Sequence, residues 1–342
     1  MRGCSGGRDA VRATFPRFVR QRLLQVVPVV LGIALLNFLI LQLAPGDVVD
    51  VLAGEAGAAT PEYMAHLRAS FGLDQPLWLQ LLHYLGNVLT LDLGYSFRQN
   101  MPVFELIVKR LPATLLLMLL AMGIALVLGV VLGVISAVRV QRWPDRLISL
   151  AALVAYAMPT FCLGLMAVVL FSARLGWLPS GGMTDVGAGH TGLALVLDVA
   201  RHAVLPACTL ATFYLAVYTR LVRTAMLELD GADFVRTARA KGAGEIRVTL
   251  AHALRNALLP LVTMAGYQVA SLLSGAVLVE SVFSWPGLGR LAFESVLARD
   301  FNLLLGILLL SSLLVTFVNI LVDLLYALLD PRVAVGQDGG RA

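Results

Sequence analysis

The chain has 342 residues, of which 59% are hydrophobic and 14% charged, and its mean hydropathy is +0.85. Soluble domains are roughly half apolar and about a quarter charged, so a soluble globular fold is excluded and a polytopic membrane protein is expected. The net charge of +5 therefore reads first as loop bias across a bilayer and not as a nucleic-acid footprint.

At the N-terminus, Arg2, Arg8, Arg12, Arg17, Arg20 and Arg22 precede an apolar run to Leu43. A secretory signal also opens on a basic region. This run is too long for one, and Leu43-Ala-Pro-Gly-Asp47 is no small-residue cleavage site. The expectation is a cytoplasmic tail (1–20) and an uncleaved first span (21–43). Next comes a segment from 44 to 111 that is too long for a simple connection. In it Thr60-Pro61-Glu62 reads as a helix start and Gly72 as its end. Residues 76–91 are apolar, but they are short and carry Gln80, His83 and Asn87, which suits a packed or interfacial helix better than a span. The segment holds seven acids against four bases. It is either a solvated outer subdomain or a docking face.

A span needs about 20 mostly apolar residues. Five more stretches qualify: 112–137, 147–171, 203–223, 257–279 and 302–328. In the second span, Ala121, Ala125, Gly129, Gly133 and Ala137 recur every four residues, a pattern that lets helices approach closely in lipid. Pro206, Thr209, Thr212 and Tyr214 make the fourth span the weakest. Cys162 and Cys208 lie in apolar runs and are expected to be buried, inert thiols. With Cys4 they form no pair at metal-ligand spacing. Eighteen of the 26 basic residues fall on the side of the N-terminus, so both termini are expected in the cytoplasm.

Two spans carry polar stripes. Thr263, Tyr267, Ser271 and Ser274, with Gln268 beside them, recur at helical spacing in the fifth. Ser312, Thr316, Asn319 and Asp323 do so in the sixth. Such stripes either bond neighbouring helices or line a watery path. Asp323 is too near the cytoplasmic end for a midplane proton relay.

The inner loop between the fourth and fifth spans is the most informative polar stretch. Asp230 can cap a helix start, Asp233 suits the first turn, Arg236, Arg239 and Lys241 suit its end, and Gly242 fits a left-handed stop. A helix of about ten residues is unstable alone in water and needs a packing partner. Phe234 and Ala238, flanked by Val235, offer the apolar strip. The plainer reading is a helix lying on anionic lipid.

Enzymatic signatures are missing from the sequence. The only lysines, Lys109 and Lys241, do not follow a glycine, so there is no phosphate-binding loop. The five histidines (His66, His83, His190, His202, His252) are scattered, with no H-E-x-x-H. No catalytic or metal residue is expected.

The segment Asp233-Phe-Val-Arg-Thr-Ala-Arg-Ala-Lys-Gly242, followed by His252, Asn256 and Pro260, resembles the "EAA" coupling loop of ABC-importer permeases, in the version of the dipeptide/oligopeptide/nickel family. Leu91-Asp-Leu-Gly-Tyr-Ser96, Arg110-Leu-Pro-Ala-Thr114, Glu280-Ser-Val-Phe-Ser-Trp-Pro-Gly-Leu-Gly289 and Asp330-Pro-Arg332 resemble further motifs of that family, in the right order. Arg236 stands where the general motif has glutamate.

The resemblance implies an all-α membrane protein of six transmembrane helices, with a type I importer core of spans two to six and an outer subdomain between spans one and two. It implies a permease core at 112–329 containing the coupling loop 224–256, and a cytoplasmic tail at 330–342. The coupling residues would be Asp233, Phe234, Arg236, Thr237, Ala238, Arg239, Ala240, Lys241 and Gly242, supported by His252, Asn256 and Pro260. Partners would be a second homologous permease, one or two cytoplasmic ATPases carrying ATP and magnesium, an external solute-binding protein and the lipid bilayer, with no nucleic acid and no cofactor on this chain. Di- and oligopeptides are the expected solutes, with nickel complexes, glutathione or another small solute as alternatives. A motor-independent channel or secondary transporter is the reading from outside the family. Secondary carriers show inverted repeats and broken helices with ion ligands, and no repeat is evident.

Overall fold

The computed structural model describes the backbone of residues 6–43, 60, 64, 65, 69, 74–96 and 98–329. Side chains are described from Leu24 onward, apart from Gln25, Ala270 and those beyond Val322 in the last helix. Cys4, the side chain of Asp323, the Asp330-Pro-Arg332 ending and most of the Thr60–Gly72 helix lie outside the described residues. Of that helix, Met64, Ala65 and Ala69 are helical, and the Met64 N–H donates to Thr60 O at 3.1 Å.

In chain order the elements are α1 (Gly6–Leu43), α2 (Leu77–Leu89), β1 (Tyr95–Ser96), β2 (Met101–Pro102), α3 (Val103–Val138), α4 (Trp143–Ala157) and α5 (Thr160–Ala167), which continues as a π turn, Val168–Arg174. There follow α6 (Leu193–Asp230), α7 (Asp233–Ala240), the single turn α8 (Glu245–Arg247) with a π turn at Val248–Leu254, α9 (Arg255–Val282), α10 (Leu288–Ala298) and α11 (Phe301–Leu329). They fall into two compact units, Met1–Lys109 with Glu294–Ala342, and Arg110–Phe293.

In the first unit α1 lies along α11. Ala34, Val88 and Leu309 form its buried centre, and Asn37 Nδ2 donates to Leu305 O at 3.2 Å. At 13 residues, α2 is about 20 Å long, short of the ~30 Å hydrocarbon core, as its polar residues suggest. Beyond it β1 and β2 pair antiparallel, Tyr95 opposite Pro102. Ser96 Oγ donates to Asp300 Oδ2 at 2.5 Å. Asp300 Oδ1 accepts the Leu303 N–H at 3.1 Å, which caps α11.

The second unit is organised around α6. Its 38 residues make a rod of about 57 Å, nearly twice the hydrocarbon thickness, so it runs well beyond the expected 203–223. The small-residue stripe of α3 packs against it. A Cβ added at Gly129 would sit 2.7 Å from Tyr218 Cβ, and one at Gly133 would sit 2.7 Å from Val222 Cβ and 2.9 Å from Thr219 O. Cys208 falls on the exposed side of α6 and Cys162 is half-buried, so neither is the fully buried thiol expected. Cys208 is exposed because the packed face of α6 runs through Leu205, Thr209 and Leu210.

The expected span at 147–171 is sharply bent. α4 and α5 meet at a 107° bend. Met158 is extended there (φ −81, ψ 134), because the following Pro159 disfavours helix at the residue before it and has no N–H of its own to donate. The sequence pattern marked the apolar length but gave Met158-Pro159 too little weight.

The glycine seam sets an expected outcome. Gly133→Leu overpacks the α3–α6 contact and lowers stability by about 1–3 kcal/mol, read as a fall in thermal midpoint of the detergent-purified protein. Gly123→Ala, where an added Cβ meets nothing within 4 Å, serves as the control. Equal melting of the two variants would contradict the seam.

Candidate functional site

The inner loop departs from its expected start. Asp230 is the last residue of α6 and does not cap α7. The N-cap is Ala232 (φ −69, ψ 147), with no side-chain cap. Only Asp233, in the first turn, supplies the favourable anion. The helix has eight residues rather than ten. Its end follows expectation. Gly242 has φ +81, its N–H donates to Arg239 O at 2.9 Å, and the Ala243 N–H donates to Ala238 O at 3.2 Å. Those two bonds form a Schellman cap.

Eight residues cannot hold a helix in water, so packing and ion pairs hold it. Val235 and Ala238 are buried against Val248, with Ala232 and Ala243 around them. The apolar strip against the protein's own chain is thus Val235 with Ala238. Phe234 is 42% exposed, which corrects its expected place in that strip. Residue 234 lies about 40° from 238 round the helix, at the edge of the face, and Val235 takes the buried place beside Ala238. Arg239 braces the ends, with Nη2 2.7 Å from Asp230 Oδ1 and Nε 2.9 Å from Glu245 Oε1. The Glu245 bond first, and then that to Asp230, holds its guanidinium pKa further above its ordinary value.

The opposite face is open. Asp233, Phe234, Arg236, Thr237, Ala240, Lys241 and Gly242 are exposed, and so is Ile246 in α8, at 78%. Behind the loop, His252 lies in the π turn, and its carbonyl accepts Asn256 Nδ2 at 2.7 Å. Pro260 sits inside α9. It has no N–H, so the carbonyl of Asn256, four residues earlier, lacks its usual helical donor.

Two polar anchors that the sequence reading passed over fix α6 and α9. At the start of α4, the buried Asp145 carboxylate takes a two-pronged bond from Arg223 of α6, with Nε to Oδ1 at 2.7 Å and Nη2 to Oδ2 at 2.9 Å. It also accepts from Ser136 Oγ and from the Gln141 N–H. At the other end of the unit, Glu280 is fully buried. It accepts from Thr114 Oγ1 at 2.7 Å and from the Arg290 N–H at 3.0 Å, in the first turn of α10. Thr114 Oγ1 in turn accepts the Leu288 N–H at 2.7 Å, and Trp285 Nε1 donates to Ala113 O at 2.9 Å. A Cβ at Gly287 would lie 2.2 Å from the Glu280 carboxyl, so only glycine fits. These bonds join the Arg110–Thr114 segment to the Glu280–Gly289 segment. Their signal was visible in the sequence as two separate motifs, with nothing to say that they touch.

The stripe of α9 faces outward from its unit. Thr263, Tyr267 (81% exposed), Ser271 and Ser274 are exposed, whereas Leu261, Ala265, Leu272 and Ala276 are buried on the other face. Gln268 lies between the faces, and its Oε1 has no partner. Ser271 Oγ lies 3.3 Å from Tyr214 OH. In α11, Ser312 Oγ donates to Leu309 O and Thr316 Oγ1 to Ser312 O, while Asn319 is exposed.

The buried ion pair carries an expected outcome. Asp145→Asn leaves Arg223 without its counter-charge and destabilises the protein by about 3–5 kcal/mol, measured as a drop in thermal midpoint. The double variant Asp145→Asn with Arg223→Met recovers part of that loss. A single variant that melts like the native protein would remove Asp145 as an anchor.

Comparison with known proteins agrees with this architecture. The model of the family described as "Binding-protein-dependent transport system inner membrane component" matches residues 129–335, and that of its N-terminal region matches 15–118. The chain is 42% identical over 334 residues to the dipeptide transport system permease protein DppB of Escherichia coli (strain K12), covering 93% of this chain and 98% of that protein. It is 41% identical over 330 residues to the di/tripeptide transport system permease protein DppB of Pseudomonas aeruginosa (strain UCBPP-PA14), covering 92% and 98%. Among solved structures, an inward-facing form of the MetNI methionine ABC transporter has the same fold, with a TM-score of 0.52 at 19% identity, over 64% of this chain and 93% of that one. The chain belongs to the family of binding-protein-dependent transport system inner membrane components, and it is a non-catalytic, multi-pass permease subunit of a bacterial ABC importer.

Proposed function

We propose that this subunit passes di- and oligopeptides across the inner membrane and takes its driving force through α7. The observation that carries this reading is the mounting of that helix. One face is packed and ion-paired to its own chain, and the other presents Phe234, Arg236, Thr237 and Lys241 with nothing over them among the described residues. A helix lying on lipid would have no need of a rigid brace to both flanking segments. A helix that transmits displacement does, since a loose mount would absorb the motion. The names of the dipeptide and di/tripeptide permease relatives support peptides as the solute class.

In this reading two cytoplasmic ATPases, which carry the ATP and magnesium, each seat one coupling helix. A second homologous permease supplies the other helix, and an external binding protein delivers the peptide. The transporting body is 112–329, with the coupling loop at 224–256. Phe234 and Ile246 supply apolar contact to the ATPase, and Arg236 and Lys241 supply polar contact. Arg239 and Gly242 hold the helix at its angle. The exposed stripe Thr263, Tyr267, Ser271 and Ser274, with Gln268, faces the path between the permeases, because a run of polar side chains along one exposed face suits a water-filled path better than lipid. Ser312, Thr316 and Asn319 extend a polar surface on α11. A surface of hydroxyls lets a peptide backbone pass without holding it tightly.

Two outcomes test the reading. Gly242→Val, which forces a β-branched residue to φ +81, and Arg239→Glu both cut ATP-driven peptide uptake by about tenfold or more, within the ~5–150-fold range of coupling energies, while membrane insertion stays normal. Uptake at the native rate in both variants would end the coupling assignment. Thr263→Cys and Ser271→Cys react with a water-soluble thiol reagent at rates that differ between nucleotide states of the whole complex. Full protection in every state would instead make the stripe a packing surface.

A further inference from the structure

The outer loop between the π turn ending at Arg174 and the start of α6 gathers side chains that the transport reading does not use. Its base is fixed. The Gly182 N–H donates to Phe283 O at 2.8 Å, and Arg201 Nη2 to Trp177 O at 3.3 Å. Beyond the base, Asp185 and His190 of the loop meet Asp198 of α6, with one ligand-type atom from each lying within 4.8 Å of the other two. The Asp185 N–H donates to Asp198 Oδ2 at 2.9 Å, which orients that carboxylate.

His202, one turn further along α6, completes the group. Its side chain is only 3% exposed. Nδ1 lies 2.9 Å from Asp198 O and 3.0 Å from Asp198 Oδ1. Both neighbours are acceptors, so Nδ1 carries the ring proton. Nε2 then faces Asp185 Oδ1 at 3.6 Å. A bare nitrogen lone pair beside a carboxylate is repulsive unless a positive charge sits with them, and 3.6 Å is long for a hydrogen bond. It does match the spacing of two ligands on one ion, since zinc–ligand bonds of about 2.0–2.2 Å place tetrahedral neighbours about 3.3–3.6 Å apart.

We propose that Asp185, His190 and His202 bind one divalent transition-metal ion of the zinc class, with Asp198 holding His202 from behind. Two imidazoles with one carboxylate suit zinc, cobalt or nickel, whereas calcium and magnesium favour all-oxygen shells. A carboxylate accepting the Nδ1 proton of a ligating histidine, as Asp198 does for His202, is the usual outer support of such a site. The ion would pin the loop tip to α6 on the face that the charge bias assigns to the outside.

The alternative is a doubly protonated His202 held between the two acids with no ion. The experiment uses the intact permease complex in detergent, stripped with chelator and then dialysed against zinc, with cobalt as a spectroscopic probe. The native complex is expected to retain one ion per copy of this chain and to give the absorption of cobalt in a nitrogen–oxygen site. His190→Ala, a change at an exposed side chain that leaves the fold intact, loses that ion, and Asp198→Asn weakens its binding by about 10–100-fold. His83→Ala on α2 keeps it. A native complex that binds no more metal than His190→Ala would overturn the proposal and leave the protonated histidine as the explanation.

Discussion

Close approach of α3 to α6 is the contact on which the second unit depends. Between helices in lipid there is no hydrophobic drive, because the tails are as apolar as the side chains. Contact has to come from backbone proximity and from directed polar bonds. Gly129 and Gly133 provide the first, since any Cβ there would meet Tyr218 or Val222. Asp145 with Arg223 and Glu280 with Thr114 provide the second, at opposite ends of the same unit. Each of those carboxylates is fully enclosed and takes several donors, as a charged group must if burial is not to be ruinous.

With α6 held in this way, its extension past the membrane thickness becomes a rigid arm. The arm ends at Asp230, and Asp230 holds Arg239 of the following helix. Thus the helix proposed to meet the ATPase is joined, through a single ion-paired turn, to the longest helix of the unit. Ion pairs thus connect α7 to the end of α6 and, through Arg223, α6 to the start of α4. Energetic coupling can be carried by contiguous packed elements that have two arrangements, and the proposed mechanism uses this chain of contacts.

Much of this was legible in advance. Periodicity located the spans, and the four-residue repeat of small side chains marked the face of α3 that packs. Gly242 and the charge order of the loop foretold a short capped helix. The errors share a cause. Asp230 has the chemistry of a cap, yet helix propensity carries α6 through it, and the cap falls to the backbone of Ala232. Phe234 is the largest apolar side chain of the loop and stands four residues before Ala238, but Val235 fills the packed place against Val248 and leaves Phe234 exposed. Hydropathy over 147–171 averaged across Met158-Pro159, where one missing N–H and one steric restriction turn the helix by 107°.

Composition and one-dimensional pattern determined the solvent, the number of apolar stretches, the charge asymmetry and the presence of a polar helix between two of them. These follow from transfer energies and helix geometry, which act locally and leave a periodic trace. Tertiary structure alone decided which distant groups meet. Thr114 and Glu280 are 166 residues apart, Asp145 and Arg223 are 78 apart, and two of five scattered histidines converge with Asp185 and Asp198. No local rule couples residues at such separations. Their pairing is set by how whole helices pack, and the polar bonds then form because a buried charge left without a partner would be far costlier than one with several.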